Sequence, residues 1–219
     1  MRFKLGVALA CIAALGAAGC DDLLGIDNFT PDAASSTTTG NGGSGGADTK
    51  LQVFITSTLH DGALGPDSEP AIDNADAICT KRALAANLTG RLWTAWLTNQ
   101  FRIGMTAALG PHGPWHLVDG TPAIASYDDL VACQPCLAAA INLNEFGASA
   151  DDAPVWTGTN VDGSTISLDS LDNTCLGWSS NDAGQVGAVG SPADTSAAWT
   201  HANDAACNTP AHLYCFELP

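Results

Sequence analysis

The chain has 219 residues, of which 23 are acidic and 7 are basic, so its formal net charge is −16. Apolar residues make up 46% of the chain, which excludes a wholly disordered protein. The acidic excess excludes a surface for nucleic acid, heparin-like polyanions or anionic lipid, because such surfaces need clustered Lys and Arg. The length allows one domain with accessory segments, or two small domains.

The beginning of the chain has the order of a bacterial lipoprotein signal. Arg2 and Lys4 precede a continuous apolar stretch from Leu5 to Ala18, which has the length of a signal-peptide core and is short for a membrane span. Small residues then precede Cys20, as in a lipobox. We therefore predict that residues 1–19 are a signal peptide and that Cys20 becomes the lipidated amino terminus. The alternative is a plain secretory signal with a chance cysteine.

Residues 20–50 are predicted to be a flexible tether that starts at the lipidated cysteine. Twelve of the twenty residues in 31–50 are Gly, Ser or Thr, a composition that cannot bury enough apolar surface to offset ordering entropy. Without residues 1–19 the chain has 23 acidic and 5 basic residues, and a formal charge of −18. We expect membrane attachment through lipid alone, in the cell envelope, at the outer membrane or cell surface rather than the inner membrane.

Residues 51–219 are predicted to form the folded domain, which opens with a strand and a helix. Leu51–Thr56 is rich in β-formers, and Ser68 is a plausible N-cap for a helix that ends near Gly90. Within the helix, one apolar stripe recurs at steps of three and four residues: Ile72, Ala75, Cys79, Ala83 and Ala86. Cys79 is therefore expected to face the core.

Short strands and one further helix follow along the chain. Arg91–Leu97 is predicted as a strand, the strand that begins at Trp115 leads into a hairpin turn at Asp119-Gly120, and Ser126 is predicted to cap a second short helix. Beyond residue 150 the sequence predicts short strands at Val155–Thr157, Thr165–Leu168 and Leu213–Leu218. This order indicates an α+β fold with a mostly antiparallel sheet.

Seven phrases spread over residues 51–218 carry a family resemblance. They are Val53–Ser57, Ala75–Cys79, Thr94–Leu97, Val155–Thr159, Thr174–Trp178, Trp199 with Cys207, and Leu213–Glu217. In this order they resemble the endostatin-like branch of the C-type-lectin-like fold, and in particular the family that includes leptospiral endostatin-like outer-membrane lipoproteins.

The resemblance implies a compact domain of sheet and two helices, held by two nested disulfides, Cys79–Cys215 and Cys175–Cys207. It also implies a non-enzymatic, adhesin-like binding module, since members of the family bind host or matrix proteins. The chain departs from animal endostatin because it lacks an arginine-rich heparin face and a histidine-rich amino-terminal zinc site. Neither heparin nor zinc is therefore expected as a ligand.

The remaining cysteine pair of the domain is Cys133-Gln134-Pro135-Cys136. A C-x-x-C can be half of a zinc site, a redox pair or a local disulfide. The predicted oxidising compartment favours a local disulfide between Cys133 and Cys136. No nucleophile motif or H-E-x-x-H occurs in the domain, so we expect no enzymatic activity.

Calcium is the alternative ligand that the sequence suggests. Asn203 and Asp204 have the N-D-x-x-C spacing to Cys207 that calcium-dependent lectin domains show, and three further oxygen-bearing residues precede Cys175: Asp169, Asp172 and Asn173. Calcium takes six to eight oxygen ligands. The Trp that precedes Asn-Asp in those lectins is Ala202 here, so the same residues can also be solvated turn residues.

The main hypothesis is therefore a tethered binding domain without a cofactor, whose partner is a protein or a neutral glycan. The alternatives are a calcium-dependent carbohydrate-binding lectin and a structural envelope lipoprotein without a specific ligand. We expect the contact surface in the loops from Asn160 to Asp204, which hold much of the Asp, Asn and Gly.

The sequence also predicts which tryptophans are buried and where the histidines lie. Trp96, Trp156 and Trp178 accompany predicted strands and are expected in the core, whereas Trp115 and Trp199 lie near Gly- and Pro-containing segments and are expected at the surface. The five histidines are scattered and are predicted as loop residues: His60, His112, His116, His201 and His212.

Overall fold

The computed structural model describes residues 50–89, 91–166 and 173–219. Several predictions concern residues outside these ranges: the signal peptide, lipidated Cys20, the tether before Lys50, the helix end at Gly90, the strand residues Ser167 and Leu168, and the calcium candidates Asp169 and Asp172. Among the described helices, none combines the length and the apolar character needed to span a bilayer.

The described residues form a mixed α+β fold with one main sheet, as the sequence predicts. Its strands are β1 (Leu51–Ile55), β2 (Trp93–Ala95), β3 (Trp115–Leu117), β4 (Pro122–Ile124), β5 (Val155–Trp156), β6 (Val186–Gly190), β7 (Asn203–Ala206) and β8 (His212–Glu217). The helical segments are α1 (Ser68–Ala85), α2 (Thr106–Leu109), α3 (Tyr127–Ala132) and α4 (Cys175–Trp178), with a 3₁₀ turn at Ala197–Trp199.

Strand β8 is the centre of the sheet. The strand order is β4-β3-β1-β8-β5-β6-β7, and β2 pairs with β8 beyond the end of β5. The pairings β1–β3 and β5–β8 are parallel and the others are antiparallel, so the predicted mostly antiparallel sheet is confirmed. All six residues of β8 are buried, which places the core on both faces of the sheet.

Alternation along β8 divides the core into two clusters. Tyr214 and Phe216 pack in one cluster with Trp96, and Leu213 and Cys215 pack in the other. Successive side chains of a strand point to opposite faces, so a continuous apolar strand serves both clusters. Burial of this strand on both faces explains why its sequence has no polar alternation.

Helix α1 covers one of these clusters with the predicted stripe. Ile72, Ala75, Cys79 and Ala83 are buried, and Cys79 is bonded to Cys215 of β8. The N-cap is Asp67 rather than the predicted Ser68, and the helix ends at Ala85, before the predicted end at Gly90. The bond from the helix to the central strand therefore fixes α1 against the sheet.

The described residues contain three disulfides, in the pairs that the resemblance and the local C-x-x-C spacing led us to expect. Cys79–Cys215 has a sequence separation of 136 residues and encloses Cys175–Cys207, whose separation is 32. The third joins Cys133 to Cys136 directly after α3. The long closures link α1 to β8 and α4 to the residue that follows β7.

Among the predictions for the middle of the chain, the turn and the helix cap are confirmed and the strand bounds are wrong. The turn at Asp119-Gly120 joins β3 and β4, and the Ser126 side chain caps α3 by accepting from the Asp129 amide at 3.1 Å. The predicted strand Arg91–Leu97 is reduced to β2. The short helices α2 and α4 are not predicted by the sequence, so the described residues form four α-helices and not the expected two. A single bridge, Thr159–Thr165, replaces the described part of the predicted strand that begins at Thr165.

The predictions for the tryptophans are confirmed for the core and wrong for the surface. Trp96, Trp156 and Trp178 are fully buried, but Trp115 and Trp199 are fully buried too. Trp115 begins β3, which lies against β1, and its indole Nε1 donates to the Glu217 carbonyl at 3.0 Å. The ring of Trp199 packs 4.9 Å from that of Trp96 and 5.4 Å from that of Tyr214, measured between centroids.

Candidate functional site

The calcium candidates that the structure describes meet at one edge of the sheet. Asn203 and Asp204 begin β7, the last strand of the order, and Asn173 lies beside them. The Asn173 side-chain amide donates to Asp204 Oδ2 at 2.8 Å, and the Asn173 carbonyl accepts from the Ala188 amide at 2.8 Å. The fold therefore brings together residues that are 31 positions apart in sequence.

As placed, this edge is held by hydrogen bonds within the chain. Asn173 presents N–H groups to Asp204, and the Asn203 side-chain amide donates to the Asp204 carbonyl at 3.1 Å. His201 Nε2 lies 3.9 Å from Asp204 Oδ1. Within the described residues, no group of three or more His, Cys, Asp or Glu side chains could hold a metal ion. Calcium binding stays a prediction whose other members, Asp169 and Asp172, lie outside the described residues.

Ion pairs use most of the positive charge of the domain. Residues 51–219 contain four basic side chains, and the three arginines pair with Glu145, Glu217 and Asp76. Lys81 is exposed and has no ion pair among the described residues. Since the paired arginines are balanced by their carboxylates, Lys81 is the unpaired basic side chain of the described part of residues 51–219.

The most buried of these ion pairs joins three parts of the chain. The Glu145 side chain is fully buried and accepts from Arg82 Nε at 2.6 Å, from Ser57 Oγ at 2.6 Å and from the Ser57 amide at 2.8 Å. Each carboxylate oxygen thus has a donor, which is the condition for burying a charge. Arg82 comes from α1, Ser57 follows β1, and the exposed ring of Phe146 lies 5.6 Å from the guanidinium.

Two histidines flank this ion pair and are less exposed than the sequence suggests. His60 Nε2 lies 3.0 Å from Thr58 Oγ1, and burial together with the Arg82 charge lowers the pKa of its imidazole. His212 is buried within β8, which corrects its prediction as a loop residue, and its Nδ1 lies 2.6 Å from the Thr56 carbonyl. His116 is likewise buried, in β3.

The other nitrogen of His212 holds a surface carboxylate. His212 Nε2 lies 2.8 Å from Asp151 Oδ1, and this hydrogen bond lowers the pKa of the Asp151 carboxyl. Both ring nitrogens thus lie within hydrogen-bond distance of an oxygen, one of the backbone and one of a carboxylate. The arrangement ties the loop before β5 to the central strand.

A short loop between β2 and α2 is fixed by two inward-facing side chains. Asn99 is buried, and its Oδ1 accepts from the amides of Phe101 at 2.9 Å and Arg102 at 3.0 Å. The Arg102 guanidinium donates to both carboxylate oxygens of Asp76, at 3.1 and 2.5 Å, and to the Ala95 carbonyl at 3.2 Å. Because side chains on either side of Phe101 are held inward, the loop has little freedom.

The same loop presents apolar side chains to solvent. Phe101 is 57% exposed and Ile103 is 61% exposed. The Ile103 carbonyl accepts from the Thr165 amide at 2.9 Å, so the loop is also paired with residues 163–165. We call Ile72, Asp73, Phe101 and Ile103 the Phe101 patch. Sequence reasoning placed the contact surface in residues 160–204 and missed Phe101 and Ile103, whose signal is an apolar pair in a segment without strand or helix periodicity.

A hollow separates this loop from α1. It has a volume of about 240 Å³ and is lined by Ile72, Asp73, Phe101 and Arg102. The Asp73 side chain is exposed, and its carboxylate has no hydrogen bond or ion pair among the described residues. The hollow thus combines an aromatic ring with a carboxylate that has no cation.

The Cys133–Cys136 disulfide lies between two further cavities. One, of about 380 Å³, is lined by Cys133, Pro135, Cys136 and residues 195–197, and the other, of about 270 Å³, includes Asp129. Cys133 is the C-cap of α3, and its amide donates to the Asp129 carbonyl at 3.0 Å. The disulfide therefore closes the turn that follows this helix.

No protein-family model matches the chain, and no curated protein matches it. Its function has therefore to be inferred from its own residues.

Proposed function

We propose that the protein is a membrane-tethered bacterial lipoprotein whose domain, residues 51–219, is a non-enzymatic binding module. The observation that carries this proposal is the Phe101 patch, in which two apolar side chains, 57% and 61% exposed, stand on a loop that Asn99 and Arg102 fix from inside. A surface held in one conformation loses little entropy on binding. Exposed apolar side chains on a rigid loop are typical of binding surfaces.

The proposed fold is the endostatin-like branch of the C-type-lectin-like fold. The mixed α+β architecture and the nested disulfides Cys79–Cys215 and Cys175–Cys207 support it. Trp96 and Trp178, which belong to the family-like phrases, are core residues, as a shared fold would require. Endostatin-like relatives that bind host or matrix proteins make a protein partner the first choice.

The ligand class follows from charge. The arginines of the domain are paired inside the fold, so a polyanion meets exposed carboxylates without a basic patch to bind it. We therefore propose basic proteins or neutral glycans as ligands, and neither nucleic acid nor heparin.

Membrane attachment is tested with a Cys20→Ser variant of the full chain. If Cys20 is the lipidated residue, the variant loses acyl label and leaves the membrane fraction. A variant that stays fully membrane-bound contradicts the lipoprotein proposal. Protease treatment of intact cells distinguishes a surface-exposed binder from a structural lipoprotein that faces the periplasm.

Binding is tested with the acyl-free chain, residues 21–219, on arrays of cationic proteins and neutral glycans at physiological salt. We expect saturable binding that Phe101→Ser weakens and heparin does not inhibit. Absence of saturable binding on both arrays contradicts the proposal, as does tight binding to heparin.

A second candidate, a calcium-dependent lectin, is favoured by the contact of Asn173 with Asp204 at 2.8 Å. A chelator and an Asp204→Ala variant distinguish it, because both abolish glycan binding only if calcium bridges the ligand. Asn181→Ala is the matched control, because it removes another exposed amide that donates to an aspartate, Asp61, outside the candidate set.

A further inference from the structure

We infer that the Phe101 patch binds a protein segment in which one apolar side chain is flanked by Lys or Arg. The inference rests on the proposed binding function and specifies the partner chemistry of that same surface.

The apolar requirement comes from Phe101 and Ile103. Both side chains have more than half of their surface in water, and covering them releases free energy in proportion to the apolar area removed. Hydrogen bonds keep the loop in place on both sides, because the Asn99 side chain accepts from the Phe101 amide and the Thr165 amide donates to the Ile103 carbonyl. The partner must therefore bring an apolar side chain to a preformed surface.

The requirement for positive charge comes from the hollow beside Phe101. Asp73 lines it without an ion pair among the described residues, whereas the charge of Arg102, which also lines it, is balanced by two hydrogen bonds to Asp76. The volume of about 240 Å³ admits one long side chain. A Lys or Arg there can pair with Asp73 while its stem or guanidinium lies against the Phe101 ring.

A second acidic residue lies on the neighbouring loop. Asp162 precedes Gly163, whose carbonyl accepts from the Met105 amide at 2.9 Å. The hydroxyl and amide of Ser164 both donate to Asp162 and lower the pKa of its carboxyl, which keeps it ionised. Asp162 thus adds an ionised carboxylate to the segment that is hydrogen-bonded to this loop.

Charge also argues against a second copy of the chain as the occupant. Two copies would bring the same acidic surroundings together, and the described part of residues 51–219 offers only Lys81 as an unpaired basic side chain. Like charges at an interface oppose association. A partner with its own Lys or Arg removes this opposition.

The probe is a fluorescein-labelled peptide with one central Leu between pairs of Arg, and the protein is the acyl-free chain, residues 21–219. One control peptide replaces each Arg with Glu and the other replaces Leu with Ser. Fluorescence anisotropy at physiological salt gives the affinities. We expect the Leu–Arg peptide to bind at least about tenfold more tightly than either control, a ratio that corresponds to about 1.4 kcal/mol.

Variants of the chain locate the binding surface. Phe101→Ser should weaken the Leu–Arg peptide by about tenfold, and Asp73→Asn should weaken it less and reduce its salt dependence. Phe146→Ser is the matched control, because Phe146 is 58% exposed in a different loop. Circular dichroism verifies that each variant keeps the fold.

The inference is overturned if the Leu–Arg peptide binds no better than its controls, or if Phe146→Ser weakens it as much as Phe101→Ser does. Dimers of the chain that Phe101→Ser dissociates would identify a second copy as the occupant and overturn it as well. If glycans or uncharged proteins bind through Phe101 without preference for Arg, the inference fails and the proposed binding function stands. If nothing binds on the arrays either, both fail.

Discussion

Removal of the disulfides one pair at a time tests how the nested closures stabilise the domain. A disulfide restricts the unfolded chain more when the loop that it closes is longer. The separations are 136 residues for Cys79–Cys215, 32 for Cys175–Cys207 and 3 for Cys133–Cys136. The chain-entropy relation then gives contributions of about 5, about 4 and about 2 kcal/mol, in that order.

Side-chain packing adds a second contribution to the long closures. Their four cysteines are fully buried, so replacement by Ala also removes sulfur contacts from the core. That loss is similar for Cys79–Cys215 and Cys175–Cys207, because each pair loses two buried sulfur atoms. The difference between these two variants therefore reports mainly the loop length.

The assay is urea unfolding of residues 21–219 without reductant, followed by tryptophan fluorescence. We expect the Cys79→Ala/Cys215→Ala variant to lose the most free energy of unfolding. Its m-value should also rise, because an unfolded chain without the long closure exposes more surface. Wild-type protein unfolded in reductant is the control for the loss of all three bonds.

Equal losses for the Cys79–Cys215 and Cys133–Cys136 variants would refute the loop-length reasoning. So would a Cys79→Ala/Cys215→Ala variant that keeps the wild-type free energy of unfolding and m-value. Non-reducing peptide mapping of the wild type verifies the three pairs independently.

Three further predictions follow from single residues. Asn99→Ala removes hydrogen bonds to two loop amides and one to the Gly177 carbonyl. At about 1 kcal/mol for each bond, the free energy of unfolding should fall by about 3 kcal/mol. An unchanged urea midpoint would contradict the role of Asn99 in holding the loop. Trp199→Ala should lose about 3–5 kcal/mol, as expected for a core residue, and an unchanged melting temperature would place Trp199 at the surface. Burial raises the pKa of the Glu217 carboxyl, so the folded state keeps this proton to a higher pH than the unfolded chain does. The contribution of Glu217 is therefore fully present below its unfolded pKa of about 4.3 and is lost as the pH rises through the folded value. In urea unfolding at pH 4 to 7, Glu217→Gln should remove this loss, and an unchanged pH slope would contradict it.

Parts of the fold could be predicted from the sequence where the signal is local. The stripe of α1 has helical period, and the turn at Asp119-Gly120 and the cap at Ser126 are short-range patterns. The interactions that cause these features act between residues only a few positions apart, so a short stretch of sequence is enough to predict them.

The burial of Trp115 and Trp199 could not be predicted in this way. Glycine and proline near a tryptophan describe the local backbone, whereas its burial depends on which distant strands lie beside it. Trp115 is covered because β3 pairs with β1, across more than 60 positions of sequence. Trp199 is covered because the 3₁₀ turn lies over Trp96 and Tyr214. The burial of both tryptophans therefore depends on contacts between segments that the local sequence does not specify.

The Phe101 patch could not be predicted either, because it also depends on residues that are distant in sequence. An apolar residue in the core and one at the surface look identical in sequence, and the absence of strand or helix periodicity around Phe101 and Ile103 does not by itself show that they are exposed. Their display depends on Asn99 and Arg102, whose partners Gly177 and Asp76 lie 78 and 26 positions away. The spatial neighbourhood of Asn173 and Asp204 could be predicted because a lectin-like spacing relates them to two cysteines.

The net charge of the domain and the positions of its charged residues give different information about the ligand. Residues 51–219 contain 18 acidic and 4 basic side chains, so the net charge gives the sign of the expected ligand but not the place where it binds. The structure assigns three arginines to Glu145, Glu217 and Asp76, which leaves 15 acidic residues and Lys81. The excess of acidic residues attracts cationic ligands in general, so selection among them has to come from a place where charge and apolar surface coincide. The Phe101 patch is such a place, and salt should weaken binding there because screening reduces the attraction. Binding that strengthens with salt would mean that the apolar side chains act alone.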